Sequence, residues 1–355
     1  MAYQILHLDD EARWHGYLDL IAGKQLVHFP RYSRVYQRYG DGMSECFVYE
    51  GDAGLVVYPY LRRTIGGAPS LTDIITPYGY GGPVYECQPG RSPAELVVEF
   101  RNAFVDYARK TDVVSEFVRF HPMLRNHEHF VGLMDEVQLH CVNALIDLSV
   151  GAESVYQNYR LSYRQCIRKA SEAGLRFATV PAPDFIAPFF KLYDTIMQRP
   201  GQKGYVKFRR EFFSQLSDEI KDVVKCFGVF RGDDLVATAL FLDDGHFMDY
   251  FLAASDVGAL SLRPNHLLLH EAALWGIQNG RRWLHLGGGH MTLQFFKQGF
   301  ANRSCDYYVG KAIYDVAMYN RLSAEHWERH NCRWDKNDPY FPGYRAEFAN
   351  PQVGA

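Results

Sequence analysis

The chain has 355 residues, 47% apolar and 22% charged, the composition of a globular protein large enough for two domains. Its formal net charge of −3 at pH 7 excludes a global positive field that would draw it to DNA or an anionic membrane, so any contact of that kind must be local. Seven cysteines, at 46, 87, 141, 166, 226, 305 and 332, include no C-x-x-C pair, which argues against a disulfide framework or zinc ribbon and points to the cytoplasm. No apolar run reaches the roughly 20 residues needed to span a bilayer, and the N-terminus lacks the basic and apolar regions of a signal peptide.

In chain order, the first element with a clear signature is Cys46–Tyr60, two strand-like runs about a Gly-Asp turn that predict a β-hairpin. A glycine-rich loop follows, T-P-Y-G-Y-G-G-P from Thr76 to Pro83. Ser92–Lys110 has the pattern of an amphipathic helix, and Glu116–Phe120 that of a strand, ending at His121-Pro122. Small and polar residues at Leu148–Ser154 mark a junction. The periodicity predicts one helix over Val155–Ala173, with Arg160, Arg164 and Arg168 at i, i+4 and i+8 on one face. Cys226–Phe241 repeats the hairpin signature 180 residues after the first, and a strand over Phe247–Ala253 continues the correspondence. Pro264 and Gly280 bound the next helix, because proline suits the first turn and glycine the exit; Leu267, Leu268, Ala272, Trp275 and Ile277 form its apolar stripe. A strand from Arg282 to Leu286 leads into Gly287-Gly288-Gly289, where little side-chain cover leaves the backbone open to a substrate, and then to Lys297 between aromatic residues. From Asn331 the sequence is rich in turn formers and aromatics and carries no recognisable chemistry.

Hairpin, helix and strand thus occur twice, which predicts an internal duplication. Together with Y-R-Q-C-I-R-K-A-S-E-A-G-L, R-P-N-H-L-L-L-H-E-A-A-L-W-G, W-L-H-L-G-G-G and F-F-K-Q-G-F, this order resembles the Fem-type (FemAB-like) double-domain branch of the GNAT acyltransferase superfamily over most of the chain. The resemblance implies an α/β protein of two tandem GNAT-like domains, residues 1–150 and 151–355, each with a mixed, mostly antiparallel sheet flanked by helices. It implies an N-acyltransferase that moves an acetyl, acyl or aminoacyl group from acyl-CoA or aminoacyl-tRNA to a primary amine of a sugar, peptidoglycan precursor or natural product. No tightly bound cofactor is expected, and tRNA is one candidate partner beside a small-molecule or sugar-linked amine acceptor. The chain departs from the family pattern in three places. Leu262–His266 lacks the glycines of a pyrophosphate-binding loop, no heptad pattern for a coiled-coil arm is present, and Phe120-His121-Pro122 stands where relatives often carry Asp-Pro.

Amide formation needs a neutral amine beside the acyl carbon and positive charge or hydrogen-bond donors for the developing negative charge. Lys297, matched to the family's lysine, is the candidate for that charge, and His121 for the proton acceptor. Arg263 and Asn265, at a helix start, are candidates for the donor's phosphate or ribose, and Tyr78 and Tyr80 for the acceptor. Arg160, Arg164 and Arg168 are phosphate-binding candidates, with a solvated helix face as the plainer reading. His266, His270 and Glu271 lack the H-E-x-x-H order and His127-Glu128-His129 reads as a polar loop, so no metal site is expected; Cys305 reads as a buried thiol. Two other classes remain open: a binding protein of this fold without the reaction, and a protein binding RNA through its arginine face.

Overall fold

A computed structural model describes residues 2–198 and 207–348. In chain order the elements are β1 (Ala2–Leu6), α1 (Glu11–Asp19), α2 (Pro30–Tyr39), β2 (Met43–Gly51), β3 (Gly54–Ile65), β4 (Ala68–Ile75), β5 (Val84–Cys87), α3 (Pro93–Lys110), β6 (Val113–Arg119) and β7 (Glu136–Asp147). Next come α4 (Ala152–Asn158), α5 (Leu161–Glu172), β8 (Leu175–Val180), α6 (Ile186–Met197), α7 (Arg210–Ile220), β9 (Val224–Arg231), β10 (Asp234–Asp243) and β11 (Phe247–Ser255). The last are α8 (Pro264–Gln278), β12 (Trp283–Gly287), α9 (Met291–Gln298), β13 (Arg303–Ile313) and α10 (Val316–Glu328). Among the described residues no helix is long and apolar enough to cross a membrane.

Two compact units result. One comprises the chain up to Leu139 and again from Tyr308 onward, the other His140–Tyr307. This differs from the division expected at residue 150, for a reason visible in the pairing. The end of β13 lies antiparallel to β6 in the first unit, while β7 lies antiparallel to β12 in the second. The closing strand of each half of the sequence is therefore hydrogen-bonded into the sheet of the other half. Sequence order alone does not carry that information.

Within each unit the plan is the one the repeated hairpins implied. In the first, β2 and β3 form a hairpin closed by Asp52 and Ala53, β3 pairs antiparallel with β4, and β6 lies parallel to β4 after the crossover helix α3. In the second, β9 and β10 form a hairpin closed by Gly232 and Asp233, β10 pairs antiparallel with β11, and β12 lies parallel to β11 after α8. A parallel pair needs a long connection, and the crossover helix supplies it in both cases. Helix α3 opens with Ser92 accepting from the Glu95 N–H and Glu95 reaching back to the Ser92 N–H, a capping box. Helix α8 has Pro264 in its first turn, and Gly280 beyond it has φ 72°.

Strand β2 is buried on both faces, Phe47 and Tyr49 toward one cluster, Cys46 and Val48 toward another, because helices cover each side of the sheet. The first unit's core is aromatic: Phe47, Tyr58, Tyr60, Phe100, Phe104 and Tyr107 pack around one centre. Buried phenols require partners, and these find them in charges. Tyr58 Oη donates to Glu116 (2.8 Å), which also receives Arg101 Nη1 (2.9 Å) and Tyr314 Oη (2.5 Å). The Arg101 and Glu116 side chains are 3% and 0% exposed. Removing one partner would leave the other charged and desolvated, so Arg101→Ala is expected to lower unfolding free energy by about 3–5 kcal/mol. A urea titration of wild type and variant measures this, and a loss below about 1 kcal/mol would contradict it.

The single helix expected over residues 155–173 is two helices. Tyr159 and Arg160 are extended (ψ 146° and 141°) because the buried Tyr159 ring packs edge-on against Phe300 at 5.0 Å and the Arg160 N–H donates to Gly299 O at 3.0 Å. These tertiary contacts outweigh the local helical pattern.

Candidate active site

Strands β11 and β12 pair in parallel over three positions only, ending at Asp249 opposite His285. Both bend just beyond that point. On β11 the register against β10 jumps, with Tyr250 opposite Phe241 and Leu252 opposite Leu240, so that Phe251 is an extra, bulged residue. On β12 the register against β7 jumps from His285 to Gly287, with Leu286 extra. A bulge kinks its strand and raises local twist, and one on each strand separates the pair. Among the described residues, no strand then pairs with the β12-facing side of Tyr250–Ser255. That edge is open to an extended ligand.

At the point of divergence, polar side chains form a chain of hydrogen bonds across three strands. His285 Nδ1 is 2.6 Å from Asp249 Oδ1, and its Nε2 is 3.0 Å from Asn143 Nδ2. Cys141 Sγ donates to Asn143 Oδ1 at 3.3 Å. An ionised carboxylate only accepts, so Nδ1 carries the imidazole proton, Nε2 accepts from the Asn143 amide, and the amide oxygen is left to take the thiol hydrogen. Each member fixes the orientation of the next. His285 and Asn143 are fully buried, and the Asp249 side chain is 26% exposed, which makes the carboxylate the end of the chain that solvent or substrate can reach.

Lys297 closes the other side. It lies in the last turn of α9, is 6% exposed, and its Nζ donates to Gly288 O at 2.6 Å and sits 5.4 Å from the Tyr250 ring centre. Burial lowers its pKa to about 8, while the neighbouring Cys141 pulls the other way. The Cys141 thiol is itself pushed up by burial, against a hydrogen bond from the Gly289 backbone and the Lys297 charge. Gly288 is the hinge of the arrangement: a Cβ there would lie 2.4 Å from Cys141 Sγ and 2.7 Å from Asn143 Oδ1. The glycine cluster therefore serves close packing of the thiol and amide as well as backbone access. Sequence reading singled out Lys297 and the glycines but missed Asp249, His285, Asn143 and Cys141. His285 stood inside the W-L-H-L-G-G-G segment, and its inward position in a buried strand was the available signal.

The donor candidates flank the open edge of β11. Asn265 Nδ2 donates to Ser255 Oγ at 3.1 Å, tying the start of α8 to the end of β11. Arg263 is exposed and adopts φ 64°, ψ 38°, a left-handed conformation that glycine usually fills. The loop thus reaches the turn without glycine. Its carbonyl takes the His266 N–H (3.1 Å), and Pro264 has none, so the helix start offers few free backbone donors. The half-buried His266 ring packs edge-on against Tyr163 and Phe296, and desolvation lowers its pKa to about 4.

The arginine face expected on one helix does not form. Arg160 precedes α5 and stacks on Phe295, with Cζ 4.0 Å from the ring centre and Nη1 3.3 Å from its carbonyl. Arg164 donates to Gln157 Oε1 at 2.6 Å, and the exposed Arg168 is 3.8 Å from Glu172. A hollow of about 400 Å³ lined by Tyr156, Arg168, Ser171 and His270 shares no residue with the Lys297 constellation. Convergent titratable groups, not volume, mark the active-site candidate.

In the first unit, His121 follows the end of β6 and is buried; its Nδ1 accepts the Leu124 N–H at 3.3 Å and its backbone N–H goes to Asn126 Oδ1 at 2.9 Å. The imidazole shapes a turn. The Thr76–Pro83 loop is anchored by Tyr32 and Tyr36, whose hydroxyls donate to Tyr78 O (2.6 and 3.0 Å), and by Asn126, which donates to Gly81 O and Pro83 O (2.9 Å each). Gly79 at φ 117° allows the loop's reversal. Tyr78 and Tyr80 are half-buried on this rigid loop.

The lowered pKa of Lys297 has a consequence for stability. Between pH 8 and 10.5 the unfolded chain holds this proton and the folded one releases it, so stability rises with pH across that window. Relative to Lys297→Met, wild type is expected to gain on the order of 3 kcal/mol between those limits. Urea midpoints of the two proteins at pH 7.5 and 10.5 test the difference, and parallel pH profiles would refute a buried amine.

Residues 157–298 match the acetyltransferase (GNAT) domain family. In fold the chain is similar to FemX, with TM-score 0.68 and 10% identity over 90% of this chain and 99% of FemX. It is also similar to the C-terminal domain of a putative lysylphosphatidylglycerol synthetase from Agrobacterium fabrum, with TM-score 0.54 and 14% identity over 87% of this chain and 93% of that one. A tandem GNAT protein from the clavulanic acid biosynthesis pathway gives TM-score 0.54 and 10% identity over 88% and 98% of the two chains. No curated protein matches the chain in sequence. Residues 157–298, which span the diverging strands, thus form an acetyltransferase (GNAT) domain, inside a fold shared with FemX and a tandem GNAT protein.

Proposed function

We propose that the chain transfers an acetyl, acyl or aminoacyl group from acyl-CoA or aminoacyl-tRNA to a primary amine carried by a sugar, a peptidoglycan precursor or a natural product. The observation that carries this reading is the Asp249–His285–Asn143–Cys141 chain at the fork of β11 and β12, open to solvent at Asp249 and with the buried Lys297 acting on Cys141 at its inner end. An activated donor fits along the open edge of β11, with its phosphate or ribose near Arg263 and Asn265. The acceptor amine attacks the donor's carbonyl carbon; a C–N bond forms, and the C–S or C–O bond to the donor breaks. The amine's proton passes to the Asp249 carboxylate, which His285 orients through its Nδ1–H. Lys297, an ammonium at neutral pH, opposes the developing negative charge and can give its proton to the departing sulfur or oxygen.

In this scheme Asp249 takes the proton-acceptor role first assigned to His121, because the His121 ring nitrogen Nδ1 is engaged by a backbone N–H. Tyr78 and Tyr80 are the proposed acceptor-binding groups. The loop before α8 favours neither donor outright: it lacks glycine, yet it takes the left-handed turn at Arg263 and adds a guanidinium beside the helix start.

The test is a transfer assay with labelled acetyl-CoA and labelled aminoacyl-tRNA against a panel of amines. One donor is expected to pass its label into an amide, and Asp249→Asn to cut that rate by about 10²–10⁴-fold while thermal unfolding stays near wild type. Activity should also fall above pH about 8, where Lys297 loses its charge. If both donors bind but neither transfers, the chain is a binding protein of this fold; if wild type and Asp249→Asn transfer equally, the assignment of the base is wrong.

A further inference from the structure

Outside the candidate active site, the first unit contains a second concentration of charge. Asp73 on β4 is 1% exposed and holds two guanidinium groups at once: Arg63 Nε at 2.7 Å and Arg345 Nε at 2.5 Å. Strand register produces the cluster. Arg63 is opposite Asp73, and Asp73 is opposite Ser115, whose Oγ is 2.6 Å from Tyr344 Oη. On β6, Phe117 and Arg119 follow Ser115 on the same face, by the two-residue period of a strand. Arg119 lies over the Phe117 ring at 5.0 Å, and its Nη1 donates to Thr76 O at 3.0 Å, where the Tyr78–Tyr80 loop begins.

One buried carboxylate cannot balance two guanidinium groups, and a third stands nearby. Both salt bridges use Nε, which turns the terminal nitrogens elsewhere. Arg345 Nη2 reaches Thr64 O at 2.9 Å, but among the described residues Arg63 Nη2 is buried without a hydrogen-bond partner. An unsatisfied guanidinium nitrogen away from water is costly unless a partner arrives. The crowding has an electrostatic signature: burial lowers the Arg63 pKa, Asp73 opposes this, and Arg345 lowers it further. Tyr340, 44% exposed, lies within the fields of Arg63, Arg119 and Arg345. Among the described residues, Glu347, which is exposed, adds a negative charge that acts on Tyr340.

We infer that Arg63, Arg119 and Arg345 form a binding site for a phosphate group, with Asp73 fixing two of the three guanidinium forks. A tetrahedral dianion offers several acceptors to planar forks and neutralises the excess charge, which a surface aromatic at Tyr340 borders. The site stands on the strands that lead into the Thr76–Pro83 loop. It does not depend on the acyl-transfer reading, since phosphate binding can be measured without turnover.

The full chain would be titrated with inorganic phosphate and, separately, glucose 1-phosphate at constant ionic strength set with sodium chloride, by calorimetry and thermal unfolding. Saturable binding is expected, weakened tenfold or more in Arg119→Gln and Arg345→Gln, and strengthened in Glu347→Gln, which removes a competing carboxylate. Tighter binding of the ester identifies a phosphorylated small molecule; equal or weaker binding identifies the free anion. Because Arg345 also anchors the C-terminal segment, Arg119→Gln is the decisive variant if Arg345→Gln fails to fold. A response to phosphate no larger than to chloride, or an Arg119→Gln titration that superimposes on wild type, overturns the site.

Discussion

The second unit depends on one buried imidazole that is hydrogen-bonded on both nitrogens. His285 sits in β12 with a strand on each side, Asp249 supplied by β11 and Asn143 by β7. A buried imidazole in a dry sheet must have both ring nitrogens hydrogen-bonded, and here that is met by these three strands lying in this order and register. Polar satisfaction and topology are therefore the same requirement. Beyond His285 the two bulges open the sheet, so the constraint that holds the strands together lies at the mouth of the gap between them. An ionisable chain ending at an opening is well suited to proton transfer, since its inner members are immobile and only the outer carboxylate meets the substrate.

The first unit solves a related problem differently. Its aromatic core is rich in tyrosine, and each buried phenol needs an acceptor; Glu116 and Glu45 provide them, with Arg101 and Arg62 as counter-charges. Such networks add little net stability compared with an apolar core, but they penalise any rearrangement that separates their members. The Asp73 cluster departs from this economy. Its excess of guanidinium over carboxylate contrasts with the matched pair at Arg101 and Glu116, and a matched pair is what a purely structural role calls for.

Much of the plan was legible in the chain. The two hairpins, Pro264 and Gly280 around α8, and the helix from Ser92 follow local rules of turn and cap chemistry, and each is found where those rules put it. The burial of Lys297 was foreshadowed by its aromatic neighbours, although Phe295 is exposed and covered by Arg160 instead of packing on the lysine. Less legible was the break at Tyr159–Arg160. The residues suit a helix, and only the contacts to Gly299 and Phe300, distant in sequence, decide otherwise.

The sequence by itself determined the elements, their duplication and the family likeness, because hydrophobic period, turn residues and caps act over a few positions. Tertiary structure alone decided which strands exchange between the halves, where the sheet opens, and which polar side chains meet. Those outcomes rest on hydrogen-bond register between segments more than a hundred residues apart, as with Asn143 and His285. A local pattern contains no term for that pairing.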